Sequence, residues 1–84
     1  MKYNSDKVDE MTLALLYLVS TKRKEGRGAR AWKGFDRETL NRLHEKNWIE
    51  ALDSKSPTLL VTGDGYEKSE QLFRMHFGLK EKQL

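Results

Sequence analysis

Apolar residues recur along this chain at spacings that predict three helices and several short extended segments. Near the N-terminus, four apolar residues form one stripe at helical spacing: Val8, Met11, Leu15 and Leu18. Leu13, Leu16 and Tyr17 widen the stripe to most of the circumference, which is typical of a helix that is buried on more than one side. We therefore expect this first helix, capped by Asn4 or Ser5, to form the centre of the fold or part of a dimer interface, and we favour the centre of the fold.

The second helix, predicted between Asp36 and Lys46, is the best-defined element because both of its ends carry sequence signals. Asp36 is a good N-cap, since its carboxylate can accept hydrogen bonds from the free N–H groups of the first turn. Phe35 and Leu40 stand at the two positions of a hydrophobic staple across this start. Asn47 tolerates the left-handed backbone of a Schellman motif, so we expect the helix to end there.

The outward side of this second helix disfavours recognition of duplex DNA. Leu40 and Leu43 are expected to face inward, and four residues are then expected to face solvent: Glu38, Asn41, Arg42 and Glu45. Two carboxylates on an exposed face oppose the attraction to phosphates that supplies most sequence-independent DNA affinity. We therefore expect this face to take no part in binding nucleic acid.

The extended segments after the second helix predict a β-hairpin that is followed by a last helix. Trp48–Leu52 and Leu59–Thr62 are predicted as the two strands, with Ile49 and Ala51 on one face. The residues between them have the turn chemistry of Ser, Asp and Pro. Thr62 is also a suitable N-cap for the final helix.

These elements predict one α+β domain over residues 1–84 with a winged-helix-like fold. It consists of three helices and a small antiparallel β-hairpin, with Ala29–Trp32 as a candidate third short strand. A usual winged helix has two helices between its first helix and its hairpin, whereas this chain has room for one. Residues 20–28, which include no apolar side chain, are expected to form a flexible basic loop, and residues 79–84 a frayed tail.

Composition excludes several classes of protein. The chain has 84 residues, of which 37% are hydrophobic, enough for one small core. It contains no cysteine, which excludes disulfides and thiolate metal sites. The longest apolar run, Leu13–Val19, is far shorter than the ~20 residues of a membrane helix. Met1–Lys7 also lacks a signal-peptide pattern, so we expect a cytoplasmic protein without a membrane partner.

The net charge of +3 is concentrated in one segment. Lys22–Arg37 carries seven cations against two carboxylates, a net of +5, so the rest of the chain has a net of −2. A local excess of positive charge indicates an anionic partner. The candidate nucleic-acid-binding residues are cations of this segment and its tryptophan: Arg23, Lys24, Arg27, Arg30, Trp32, Lys33 and Arg37.

Trp32 has two interpretations. Its ring could stack on a base while the neighbouring cations neutralise phosphates. Alternatively, the ring packs on the first helix and the cations only solvate a loop. For Trp32 itself we favour the packing interpretation.

No group of residues predicts catalysis or cofactor binding. His44 and His76 are the two histidines, and each lies on or near an apolar helix face without a carboxylate–histidine motif around it. Gly63-Asp-Gly65 lacks the glycine spacing and the lysine of a phosphate loop. We therefore expect no enzymatic activity, no metal and no cofactor.

Two runs of sequence resemble a known family. Arg30-Ala-Trp-Lys-Gly-Phe-Asp36 and Leu43-His-Glu-Lys-Asn-Trp-Ile49 are similar to a group of small bacterial proteins that form a domain of unknown function with a winged-helix-like fold. Leu15–Leu18 and Leu59–Gly65 fit the same pattern, so the resemblance covers nearly the whole chain. Asn47 stands where a glycine would be usual in the family. Because the family has no assigned activity, the resemblance implies the fold and no functional residue.

Two hypotheses about function follow. The first is a small binding module that contacts nucleic acid through the basic segment, residues 22–37, by largely electrostatic and weakly sequence-specific attraction. The second is a protein-interaction module that binds an acidic protein or forms a homodimer, without binding nucleic acid. The second hypothesis rests on the nearly all-round apolar first helix.

Overall fold

The computed structural model describes residues 1–22 and 28–79. Within these residues the chain forms three helices and three strands, in the order α1 Ser5–Val19, β1 Thr21–Lys22, β2 Ala29–Trp32, α2 Arg37–Glu45, β3 Thr58–Val61 and α3 Gly63–Phe77. The strands form one antiparallel sheet in the order β1-β2-β3. The predicted α+β class, with three helices and a small antiparallel sheet, is confirmed.

The basic loop and the tail were predicted as residues 20–28 and 79–84. The loop prediction is wrong at its beginning, because Thr21 and Lys22 pair with Arg30 and Ala29 as strand β1. Residues 23–27 and 80–84 lie outside the described residues, so this part of both predictions stays a prediction.

Side-chain caps start α1 and α2 as expected. The Oδ1 atom of Asn4 accepts a hydrogen bond of 3.0 Å from the backbone N–H of Lys7. Asp36 accepts from both the backbone N–H and the hydroxyl of Thr39, at 3.1 and 2.9 Å. These two bonds favour the charged carboxylate, so the pKa of Asp36 is lowered, with the Thr39 hydroxyl as the largest cause.

The C-terminal end of α2 is the predicted Schellman motif. Asn47 has a φ of 62°, in the left-handed region. Its N–H donates to the carbonyl of His44 at 2.9 Å, and the N–H of Trp48 donates to the carbonyl of Leu43 at 3.0 Å. This pair of bonds satisfies the last carbonyl groups of the helix and turns the chain back toward the core.

Helix α3 starts against the end of α2. The Thr62 hydroxyl accepts a bond of 2.8 Å from the N–H of Gly65 and donates one to the carbonyl of Asn47, also at 2.8 Å. A Cβ atom at Gly65 would overlap the carbonyl of Trp48. The N-cap predicted at Thr62 is therefore confirmed, and it also fixes α3 against the end of α2.

The predicted hairpin is reduced to a few bonds. Trp48–Leu52 forms no strand; Ile49 makes an isolated bridge to Val61, and the N–H of Glu50 donates to the carbonyl of Leu60 at 2.8 Å. The expectation that Ala51 shares the inner face with Ile49 is wrong. Ala51 is exposed, and Leu52 packs against the core instead. The side chains of this segment therefore do not alternate as in a strand, because Leu52 has more apolar surface to bury in the core than Ala51.

The main pairing of β3 is with β2, which comes earlier in the chain. Ala29 lies opposite Val61 and Ala31 opposite Leu59, and all four side chains are buried. The candidate third strand is thus the central strand of the sheet. Its two alanines leave room for α1, which packs over this inner face of the sheet through Leu13 and Leu16 in the same core cluster.

Helix α1 contacts α2, α3 and β2, as expected of a central helix. Its buried side is not the predicted stripe, however. Leu13, Ala14 and Leu16 are buried together with Asp9, whereas Leu15 and Leu18 of the stripe are exposed. Hydrophobic spacing alone could not decide between two apolar sides of one helix.

The α1–α3 contact combines ring packing with one polar bond. The Tyr17 ring lies 5.6 Å from that of Tyr66 and 5.4 Å from that of Phe73, measured between centroids. Its hydroxyl donates to a carboxylate oxygen of Glu70 at 3.0 Å. That hydrogen bond raises the pKa of Tyr17 above its ordinary value, since the proton is needed for the bond.

The α1–α2 contact is held by an ionic cluster around Asp9, which is fully buried. Nε of Arg42 donates to both carboxylate oxygens at 2.8 and 3.0 Å, and Nζ of Lys46 donates to one of them at 2.8 Å. Lys46 also reaches Asp6 at 2.9 Å. The expectation that Arg42 faces solvent is therefore wrong, because the long guanidinium side chain turns back to neutralise a buried charge.

The cluster changes the titration of both cations. The hydrogen bond to Asp9 raises the pKa of Arg42. Burial lowers the pKa of Lys46, but the hydrogen bonds to Asp9 and Asp6 outweigh burial, and the net pKa is raised. Both side chains therefore stay charged at neutral pH, as the Asp9 carboxylate requires.

We predict that Asp9→Ala destabilises the protein by about 3 kcal/mol, because breaking a buried ion pair leaves its cations unpaired. This value is the lower end of the usual range, since Arg42 and Lys46 are partly exposed and can turn toward water. Asp6→Ala is the matched control: its side chain is 82% exposed, and its loss should cost less than about 0.5 kcal/mol. Urea unfolding measures both, and equal losses would contradict the assigned role of Asp9.

Candidate nucleic-acid interface

Strand β2 presents two of the predicted site residues to solvent. Its burial alternates, with Ala29 and Ala31 in the core and Arg30 and Trp32 on the other side. Trp32 is 66% exposed. The interpretation in which Trp32 packs on the first helix is therefore wrong. Because side chains alternate along a strand, the inward position of Ala31 requires the indole to face outward.

The Trp32 ring is held in place by the turn that follows the strand. The six-membered part of the indole lies against the backbone of Gly34, where a Cβ atom would overlap the ring. Any other residue at position 34 would have to displace the indole. The absence of a side chain at Gly34 thus lets the exposed aromatic ring lie against the backbone.

Arg30 is anchored beside Trp32 on the outer sheet face. We use this name for the outward side chains of the three strands: Thr21, Arg30, Trp32, Thr58 and Leu60. Nη1 of Arg30 donates to the hydroxyl of Thr58 at 2.9 Å, and Thr58 is the cross-strand partner of Trp32. One guanidinium and one indole therefore lie on neighbouring positions of the same surface.

Lys33 and Arg37 belong to a second group. They line a concavity of about 260 Å³ together with Phe35, Leu40, Leu52 and Ser54. The ammonium of Lys33 donates to the backbone carbonyl of Asp53, so this cation is partly engaged. Arg37 is exposed at the first residue of α2. The turn through Gly34 and Phe35 separates this group from the outer sheet face.

The structure thus brings the predicted site residues together in two pairs, Arg30 with Trp32 and Lys33 with Arg37. Three further predicted residues lie outside the described residues: Arg23, Lys24 and Arg27. They stay predictions. Their chain positions place them between β1 and β2, the two strands that carry Thr21 and Arg30 of the outer sheet face.

Beyond Arg37 at its first residue, helix α2 offers little positive charge to a polyanion. Glu38 and Glu45 are exposed, as expected. Arg42 and Lys46 are bound to the Asp9 cluster and are not available for phosphates. The winged-helix-like interpretation would make α2 the helix that enters the major groove, and the exposed carboxylates make α2 electrostatically unsuited to that role.

The Asp9 cluster is the polar feature that sequence reasoning missed. By its position alone, Asp9 is a carboxylate near the positive end of α1, where the helix dipole favours anions. A signal was present, because Asp9, Leu13 and Leu16 share one helical face at spacings of four and three. A carboxylate on the same face as two core leucines must be paired, and the nearby cations of α2 were its available partners.

His44 makes a local contact and does not belong to a metal-ligand group within the described residues. Nδ1 of His44 lies 3.2 Å from the carbonyl of Ile49, a local bond within one turn of chain. Within residues 1–22 and 28–79, no three His, Asp or Glu side chains are grouped as metal ligands. None of the helices in that part of the chain is both long enough and apolar enough to span a bilayer.

Comparison with known proteins assigns the chain to a family of unknown function. Residues 4–79 match the domain of unknown function DUF6429. The chain belongs to this family. It is also 42% identical over 77 residues, 92% of this chain and 97% of the relative, to "Uncharacterized protein y4hR" of Sinorhizobium fredii. The resemblance to a bacterial domain of unknown function is confirmed.

No solved structure matches this DUF6429 chain. The winged-helix-like interpretation therefore stays a prediction, resting on the Asp36-capped helix and the residual hairpin. That interpretation included Ala29–Trp32 as a third short strand, and the structure places this strand, β2, at the centre of the sheet.

We predict that Gly34→Ala displaces the Trp32 ring while leaving the core intact, because the added methyl group overlaps the indole and the indole is free to move into solvent. The two tryptophans give separate indole N–H signals in a nitrogen-correlated NMR spectrum. The Trp32 signal should shift, and that of Trp48, which packs against the core, should not. An unmoved Trp32 signal would contradict the contact with Gly34.

Proposed function

We propose that this DUF6429 protein is a non-enzymatic module that binds single-stranded nucleic acid on its outer sheet face. The observation that carries the proposal is the exposed pair of Trp32 and Arg30 within a segment of net charge +5. Binding of this kind needs stacking and charge, and it requires no catalytic group, metal or cofactor. The expected cytoplasmic location belongs to the same proposal, since nucleic acids are available there.

Phosphate attraction supplies the sequence-independent part of the affinity. Arg30 and Arg37 are exposed cations, and the rest of the segment adds positive charge along the chain. Each phosphate neutralised releases condensed counterions, so affinity falls as salt rises, with a log–log slope of about −0.7 per phosphate for a single strand. A protein with a few such contacts binds weakly at physiological salt.

Stacking favours a single strand over a duplex. In a duplex the base faces are already stacked on each other, whereas in a single strand they can lie on an aromatic side chain. The indole of Trp32 is held on Gly34 with most of its surface in solvent. The unsuitability of α2 for the major groove supports the same preference, because Arg42 and Lys46 are already paired with the carboxylates of Asp9 and Asp6.

The test is fluorescence anisotropy with a labelled mixed-sequence single strand and the duplex of the same sequence, at several salt concentrations. Trp32→Ala should weaken single-strand binding about 5- to 150-fold, the loss expected for one stacked base. Arg30→Glu should weaken binding to all sequences alike and flatten the salt dependence. Lys2→Glu is the matched control: it makes the same charge change at an exposed residue outside the basic segment, and it should have a small effect.

Each result has a distinct meaning. If neither the single strand nor the duplex binds at low salt, a nucleic-acid function is rejected. Binding that Arg30→Glu and Lys2→Glu weaken equally would reject the outer sheet face as the site. Binding of the duplex more tightly than the single strand, unaffected by Trp32→Ala, would reject stacking and leave only electrostatic attraction.

A further inference from the structure

A second apolar surface lies on α1; its C-terminal half is exposed and its N-terminal half is partly buried. We call it the α1 outer face; it comprises Val8, Met11, Leu15, Leu18 and Val19. Leu18 is 66% exposed, and Leu15 and Val19 are also exposed. Burying such leucine and valine side chains would stabilise a complex. A row of this length on one helix is typical of an interface rather than of scattered surface residues.

The α1 outer face differs in shape between its two ends. Its N-terminal half forms a shallow depression of about 390 Å³, lined by Asn4, Lys7, Val8, Met11, Thr12 and Leu15. Its C-terminal half projects into solvent at Leu18 and Val19. One helix therefore carries a shallow, nearly flat depression toward its N-terminus and a protrusion at its C-terminus.

We propose that α1 packs antiparallel against α1 of a second copy of this chain, about a two-fold axis near position 13. Two residues, one from each copy, then lie opposite each other when their numbers add up to 26. Val8 faces Leu18 of the second copy, and Met11 faces its Leu15. The protrusion of each helix enters the depression of the other, and the two-fold axis makes both contacts at once.

The spacing along α1 suits such a pair. Positions 8, 11, 15 and 18 repeat at intervals of three, four and three, the pattern by which two helices interdigitate along a common seam. A pattern that reads the same from both ends is complementary to its own antiparallel copy. This property favours a second copy over an unrelated partner, whose surface would have to match both ends independently.

Charge at the ends of α1 also favours the antiparallel arrangement. Lys7 is the charged residue among those lining the depression. The pairing places it beside residue 19 of the second copy, at the C-terminal end of that α1. The last turn of α1 contains no basic residue to offset the negative end of the helix dipole. Each lysine would supply that charge to the other copy, while its aliphatic stem covers Val19.

The size of the contact limits its strength. Helix α1 has 15 residues, and is about 22 Å long. A pair of helices of this length buries less than the roughly 1,200 Å² typical of weak complexes. We therefore expect a dimer that forms at high protein concentration and dissociates on dilution. The surface shares no residue with the outer sheet face, so this proposal holds or fails independently of nucleic-acid binding.

Sedimentation equilibrium over a wide range of protein concentrations tests the association. The wild-type chain should shift from monomer to dimer, and Leu18→Glu should weaken the dimer at least 10-fold because it places charges in the seam. Met75→Glu is the matched control, since Met75 is 71% exposed on α3 and lies outside the α1 outer face. A monomer at every concentration, or equal effects of the two variants, would overturn the proposal.

Cross-linking tests the direction of the helices. The chain has no cysteine, so Val8→Cys and Leu18→Cys each introduce one thiol. Mixed under oxidising conditions, the two variants should form a disulfide with each other. Leu18→Cys alone should not, because its two thiols would be about 15 Å apart along the axis, beyond the reach of a disulfide. Rapid self-cross-linking of Leu18→Cys would indicate parallel helices and overturn the arrangement.

Discussion

The buried carboxylate of Asp9 constrains most of the structure. A charge without solvent access must be paired, and the pair must be hydrogen-bonded closely. Asp9 meets this requirement through Arg42 and Lys46 of α2, which fixes the relative position of α1 and α2. Removing the partners would leave a charge in the core next to Leu13 and Leu16.

Two consequences for function follow from that one cluster. The first is electrostatic, because Arg42 and Lys46 are withdrawn from the surface of α2 and the exposed Glu38 and Glu45 dominate it. The second is geometric, because a helix that turns Asp9 inward must turn the side with Leu18 outward. The proposed single-strand preference and the proposed α1 pairing therefore share a physical origin, although neither depends on the other.

Local interactions made much of the fold predictable. The N-caps at Asp36 and Thr62 and the left-handed turn at Asn47 involve bonds across three to five residues, and they formed as expected. The candidate strand Ala29–Trp32 was also identified, and the basic segment around it was located from charge alone. The orientation of the Trp32 side chain was predicted incorrectly, because it depends on which of its two faces the sheet buries.

The amino-acid sequence by itself determined where the helices begin, where α2 ends, the α+β class, the position of the positive charge and the family. These properties depend on neighbours in the chain or on composition. Tertiary structure alone decided which side of α1 is buried, that β3 pairs mainly with β2 rather than with the segment after α2, and that Arg42 turns inward. Each of these outcomes is a competition between alternatives of similar local free energy, and the contacts that decide it join residues distant in sequence, such as Asp9 and Arg42.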